Sequence, residues 1–214
     1  MALKVDLRVL ELLASRICHD LISPIGAVGN GLELLEEADA AMAEDALKLS
    51  VNCAQRASAL LEFFRMAYGT AGSDSGLRWG DAQKLAEGLL EGRKMTLVWG
   101  AAPADLGLPP GAGKLALNLV MLATDTLPRG GQITVALEPA ATRLTVAATA
   151  AGRDARIADE VSAALTAGPD AAAGLSAKSV HAFFTARLAE SLRGRLESGI
   201  QPSAVRLAVT MPLS

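Results

Sequence analysis

The sequence predicts an α+β protein: an N-terminal helical hairpin that becomes a four-helix bundle on dimerisation, followed by an α/β sandwich. Three observations carry this. Residues 1–70 repeat apolar side chains at alternating three- and four-residue steps. A segment rich in Gly and Ser at 69–76 has no periodicity. Beyond it, from 77 to 214, short alternating segments interleave with helical ones.

In the first unit, Leu10, Ala14, Ile17, Leu21, Ile25, Val28, Leu32 and Leu35 form one helical seam. A short acidic connection around Asp39 leads to a second seam of Met42, Ala46, Leu49, Cys53, Ala57, Leu60 and Phe64. Two long helices so joined make an antiparallel hairpin. One hairpin has too little core to bury its seam, and pairing with a second copy supplies the rest. The linker Gly69–Gly76 then separates domains at 1–70 and 77–214.

In the second unit, Leu77-Arg78-Trp79 and Met95–Trp99 read as short strands around a helix expected at 81–91. A helix expected over 113–126 leads through Pro128-Arg129-Gly130-Gly131 to a strand at 132–137, with a hairpin partner at 143–148. Helices near 157–165 and 178–193 and a last strand at 204–211 complete one sheet against one helical layer. No internal repeat is visible.

Composition is 51% hydrophobic and 20% charged, ordinary for a globular chain, and aromatics make up only 3%. A net charge of −3 gives no footprint for nucleic acid or an anionic membrane. No apolar run is long enough to cross a bilayer, and Met1–Asp6 lacks a signal-peptide pattern, so a cytoplasmic protein is expected. Cys18 and Cys53 lie inside helical patterns and read as buried or half-buried thiols. No metal-ligand spacing, phosphate-binding glycine loop or serine nucleophile elbow is present.

The chain has two histidines. His19 lies midway between seam residues Ile17 and Leu21, which turns its ring away from the seam toward solvent. Asp20 follows it, and Ser15, Arg16 and Ser23 lie about one turn away. An exposed imidazole beside a carboxylate can act as a nucleophile, the carboxylate fixing its tautomer and taking its proton. The same facts also fit a surface histidine without a role. Pro24 stands in mid-pattern and should kink the helix just past His19, and Gly26, Gly29 and Gly31 soften the same stretch. The alternative is a helix that ends near Ser23 and restarts near Leu32. His181, between apolar positions of a late helix, reads as a packed or surface residue.

Cys18-His19-Asp20-Leu21-Ile22-Ser23-Pro24 resembles the phosphoacceptor box of sensor histidine kinases, which His19, Asp20, Ser23 and Pro24 fill. The second unit resembles the kinase ATP-binding domain in outline but departs from it where ATP is held. Leu122 stands where the magnesium-holding asparagine belongs, Ala150-Ala151-Gly152-Arg153-Asp154 lacks the adenine-reading aspartate and the second glycine, and the lid shrinks to Gly174-Leu175-Ser176. A dimerisation hairpin with an intact histidine box and an eroded ATP domain resembles the ChpT-type histidine phosphotransferases of alphaproteobacteria. That resemblance implies a phosphorelay transferase without ATP binding. It would be a homodimer with no cofactor of its own, the magnesium coming with the partner. It would accept phosphate from the receiver domain of a hybrid histidine kinase and pass it reversibly to response regulators, which in that family include a cell-cycle transcription regulator. His19 would be the nucleophile and Asp20 its orienting base. Leu12, Arg16, Ser23 and Pro24 would frame partner and phosphate contacts. A divergent ATP-dependent histidine kinase and a non-catalytic dimeric adaptor are the competing readings; nucleotide binding would favour the first and failure to phosphorylate the second.

Overall fold

The computed structural model describes residues 6–37, 40–74, 76–103 and 105–213. Met1–Val5, the connection around Asp39, and Ser75 of the expected linker lie outside the described residues.

Helix α1 (Leu7–Glu37) packs along α2 (Ala40–Ala67) as the hairpin. α1 runs unbroken through Pro24, although the proline ring gives no hydrogen bond to the carbonyl of Asp20. Pro24 is buried. Gly31 has a packing reason, because a Cβ there would collide with Ser50, whose hydroxyl donates to the Ala46 carbonyl at 3.0 Å.

The expected single seam is in fact two stripes. Val9, Leu12 and Leu13 of α1 and Ala57, Leu60, Phe63, Phe64 and Ala67 of α2 are buried within the chain. Leu10, Ile25 and Leu32 of α1 and Met42, Leu49 and Val51 of α2 are exposed. Cys18 is exposed, correcting the expectation of a covered thiol, and Cys53 is half-buried.

The segment after α2 is strapped to the second unit. Ala71–Asp74 forms one helical turn, α3, and Lys114 Nζ donates to the Gly69 carbonyl at 2.8 Å. Leu77 and Arg78 are not a strand. Arg78 is the extended residue before α4 (Trp79–Leu90), and Trp79 donates its indole N–H to the Gly100 carbonyl at 2.8 Å. The tryptophan anchors a helix start against the end of β1 (Met95–Trp99), which three alternating residues could not reveal.

Helix α5 (Ala112–Asp125) then crosses to β2 (Gly131–Pro139), parallel to β1. β3 (Arg143–Ala151) follows, then α6 (Asp159–Thr166), a 3-10 turn at Ala171–Gly174 and α7 (Val180–Ser191). β4 (Arg195–Gln201) and β5 (Ala204–Pro212) close the sheet in the order β1-β2-β3-β5-β4, antiparallel beyond β2. Ile133, Val135, Leu144, Val146, Val205, Leu207, Val209 and Met211 alternate along the strands and are fully covered. α5 is buried almost all round because the sheet, α2, α4 and α7 enclose it. One core runs without a break from Val9 and Leu12 through Phe63 and Phe64 to Leu115 and Leu207. The phosphoacceptor-like helix is therefore seated directly on the second unit.

Candidate active site

His19 stands on the outer face of α1, its side chain 88% exposed. Its Nδ1 lies 3.2 Å from Asp20 Oδ1. An ionised carboxylate can only accept, so Nδ1 carries the ring proton of the neutral imidazole and Nε2 keeps its lone pair. This is the tautomer a nucleophile needs at its outer nitrogen.

Arg16, one turn back, has another task. Its Nη2 reaches both oxygens of Asp125 at 3.0 and 2.8 Å, and its Nη1 lies 3.5 Å from the Lys178 carbonyl. With only 13% of its side chain exposed, it braces α1 against the end of α5 instead of offering a free phosphate contact. Burial is the largest single influence on Arg16 and works against its charge, but Asp125, Tyr68 and Asp20 together outweigh it and hold the guanidinium above its usual range. At Asp125 burial dominates over Arg16, so this carboxyl sits above the ordinary carboxylate range.

Two other expected contacts move. Leu12 is 7% exposed and belongs to the core, since the 3-10 turn and α7 close over that flank of α1. Pro24 is buried as well, whereas Ser23 is exposed. Ile22, three residues past His19 and 70% exposed, supplies the apolar surface that Leu12 does not.

A cleft of about 520 Å³ opens beside His19, lined by Ser15 and Asp20 of α1, Asp125 of α5, Glu160 of α6 and Lys178 ahead of α7. Asp125, Glu160 and Lys178 are not among the residues that the local pattern singles out. They converge on His19 only through the packing of α1 on α5, α6 and α7. Asp125, the one acid of α5, is the nearest thing to a signal.

His181 is packed, not exposed. It is fully buried, accepts from the Tyr68 hydroxyl at Nδ1 (3.0 Å) and donates from Nε2 to the Asn118 carbonyl (3.0 Å). Burial, reinforced by the charge of Arg16, holds its pKa down to about 3, so the ring is neutral. Asn118 Nδ2 in turn donates to Ala67 at 2.9 Å, fastening α5 to the end of α2.

At the positions compared with a nucleotide site, Leu122 is 1% exposed within the core. Asp154 adopts a left-handed φ of 62° and pairs with Arg129 at 2.7 Å. Among the described residues no group of three or more His, Cys, Asp or Glu is placed to hold a metal, and no helix is long and apolar enough to cross a membrane.

Residues 79–203 match the family model of the histidine phosphotransferase C-terminal domain. The protein phosphotransferase ChpT of Brucella abortus (strain 2308) is 40% identical over 195 residues, covering 89% of this chain and 90% of that protein. A solved structure described as a bacterial phosphotransferase superposes with a TM-score of 0.78 at 36% identity, covering 98% of both chains. The chain thus belongs to the histidine phosphotransferase family, transferases of the phosphorelay type.

Proposed function

We propose that this phosphotransferase carries its phosphoryl group on Nε2 of His19, passes it between aspartates of receiver domains, and uses no ATP. The observation that carries the reading is an exposed imidazole whose inner nitrogen is already committed to Asp20. Phosphoryl transfer has a loose transition state in which positioning and charge stabilisation do most of the work. The Nε2 lone pair forms the N–P bond as the P–O bond to the receiver's aspartate breaks, and the electron pair leaves on that carboxylate. Asp20 holds the ring in line and stabilises the positive charge developing on the imidazolium through its Nδ1–H. The return step reverses the same bonds, with magnesium held in the receiver's acidic pocket.

Docking then uses His19, Ile22 and Ser23 on α1, framed by Glu160 and Lys178 across the cleft. Fast exchange suits a small, partly apolar footprint of this kind. The donor is the receiver domain of a hybrid histidine kinase and the acceptors are response regulators, in the cytoplasm.

The test pairs a phosphorylated receiver domain and magnesium with the purified chain, and labelled ATP alone with a second sample. Acid-labile, base-stable label from the receiver only, absent in His19→Ala, is the expected result. Label arriving from ATP would make the chain a kinase, and none from several receivers would leave an adaptor.

The same reading makes the chain a homodimer. The exposed stripe of Leu10, Ile25, Leu32, Met42 and Leu49 is the part of the expected seam not covered within one chain. Sedimentation equilibrium should give twice the 22.0 kDa chain mass. Leu32→Glu, placed on that stripe, should return the monomer; a dimer unaffected by it would remove this face from the interface.

A further inference from the structure

The cleft beside His19 is short of positive charge. Asp20, Asp125 and Glu160 line it, and Arg16, one of its two permanent cations, is consumed by Asp125. A phosphoryl group on His19 adds between one and two further negative charges at neutral pH. The other cation is Lys178, which is exposed and whose ammonium makes no ion pair among the described residues.

The turn that carries Lys178 is built rigidly. Ser176 Oγ accepts from the backbone N–H groups of Lys178 (3.2 Å) and Ser179 (3.3 Å), and donates to Glu160 Oε2 at 2.7 Å. Ser179 Oγ accepts from the Ser176 N–H at 2.9 Å. The Lys178 carbonyl faces Arg16 Nη1 at 3.5 Å, which ties this turn to α1 one helical turn from His19. Ser176 and Arg16 thus hold the Lys178 backbone on both sides, with Glu160 and Ser179 fixing Ser176, while its ammonium makes no ion pair among the described residues. A turn that served only to start α7 would not need to be anchored to Arg16 and Glu160.

We propose that Lys178 is a catalytic residue of the transfer, its ammonium binding a non-bridging oxygen of the phosphoryl group as that group moves onto and off His19. The proposal rests on His19 as the carrier. As the N–P bond forms and the P–O bond to the receiver breaks, the ammonium offsets the charge that Asp20 and Glu160 would otherwise repel. No proton leaves Lys178, so the bond changes remain those at His19 and the receiver's aspartate. Ser176 and Glu160 are positioning residues on this view, acting through the turn.

A receiver-free donor isolates the effect. Phosphoramidate transfers its phosphoryl group to imidazole nitrogen: the N–P bond to His19 forms, the P–N bond of the donor breaks, and ammonia leaves with the electron pair. Lys178→Met should slow this labelling about tenfold in the full chain, and Lys178→Arg should stay within about threefold of wild type. The ³¹P resonance of the phosphohistidine should titrate at higher pH in Lys178→Met, because a nearby cation favours the doubly ionised phosphoryl group. Matching thermal melts would show that both variants fold. Unchanged labelling and an unchanged ³¹P titration in Lys178→Met would overturn the proposal. So would a defect confined to transfer from a phosphorylated receiver, which would make Lys178 a contact to the partner protein instead. If His19→Gln still takes label from phosphoramidate, the reading of His19 fails first and this one falls with it. Label that requires His19 but ignores Lys178 sinks only the present proposal.

Discussion

The two histidines of this chain have the same chemistry in water and opposite fates in the fold. His19 stands in solvent with one nitrogen engaged by a carboxylate and the other open. His181 has both nitrogens occupied, one by the Tyr68 hydroxyl and one by the Asn118 carbonyl, and no solvent reaches it. A nucleophile needs a lone pair, an approach path and a place for the charge it gains. His19 has all three. His181 has none, and at its site burial makes a positive ring costly, so it serves as a neutral strut between α2, α5 and α7. Reactivity here is decided by the partners of each ring nitrogen and not by residue type.

The sharpest way to break this comparison is to exchange the losses. His19→Gln should abolish transfer label while leaving the thermal melt within a degree or two of wild type, since the side chain packs against little. His181→Phe should do the reverse. It deprives a buried Tyr68 hydroxyl of its acceptor at a cost of about 1–3 kcal/mol, yet the label per folded molecule should be unchanged. Label lost in the His181 variant at full folding would mean that the strut takes part in the chemistry.

Asp20→Asn is the next largest expected effect. The amide can still hydrogen-bond the ring, but it cannot stabilise the imidazolium that forms on phosphorylation. Transfer should slow about tenfold with docking affinity preserved, which single-turnover rates against receiver concentration would separate. An undiminished rate would remove Asp20 from the mechanism and leave the exposure of His19 as its only distinction.

What the sequence made legible follows from the same contrast between local and distant causes. The hairpin, the exposure of His19 and its pairing with Asp20 depend on neighbours within a turn, and helical periodicity reports these. The engagement of Arg16 is not legible because its partner, Asp125, is 109 residues away, and no local pattern shows that the guanidinium is taken. The burial of Leu12 is not legible because α1 has a second covered stripe, which exists only because the 3-10 turn and α7 close over it. β4 is not legible for another reason. It is an edge strand, mostly exposed, and Arg195, Glu197, Ser198 and Gly199 give no apolar alternation to read. The segment 69–76 looked like a linker because Gly and Ser carry no periodicity, while the contacts holding its start come from Lys114 of α5.

The smallest effect is also the most direct reading of His181. Its pKa falls from 6.5 to about 3 in the folded chain, so between those pH values the unfolded state binds a proton that the native state refuses. Stability from this residue is therefore fully present above pH 6.5 and is lost as pH drops toward 3, with a limiting slope of roughly 1.4 kcal/mol per pH unit. Carboxylates titrate in the lower part of the same window, so the wild-type curve alone would not isolate it. The difference between wild type and His181→Phe, measured by denaturant unfolding at pH 7 and again near pH 5, removes their contribution. Wild type should lose about 1–2 kcal/mol more than the variant over that interval. Parallel curves would mean that the buried ring accepts a proton without cost. The contrast with His19 would then rest on access alone and not on the charge each site can bear.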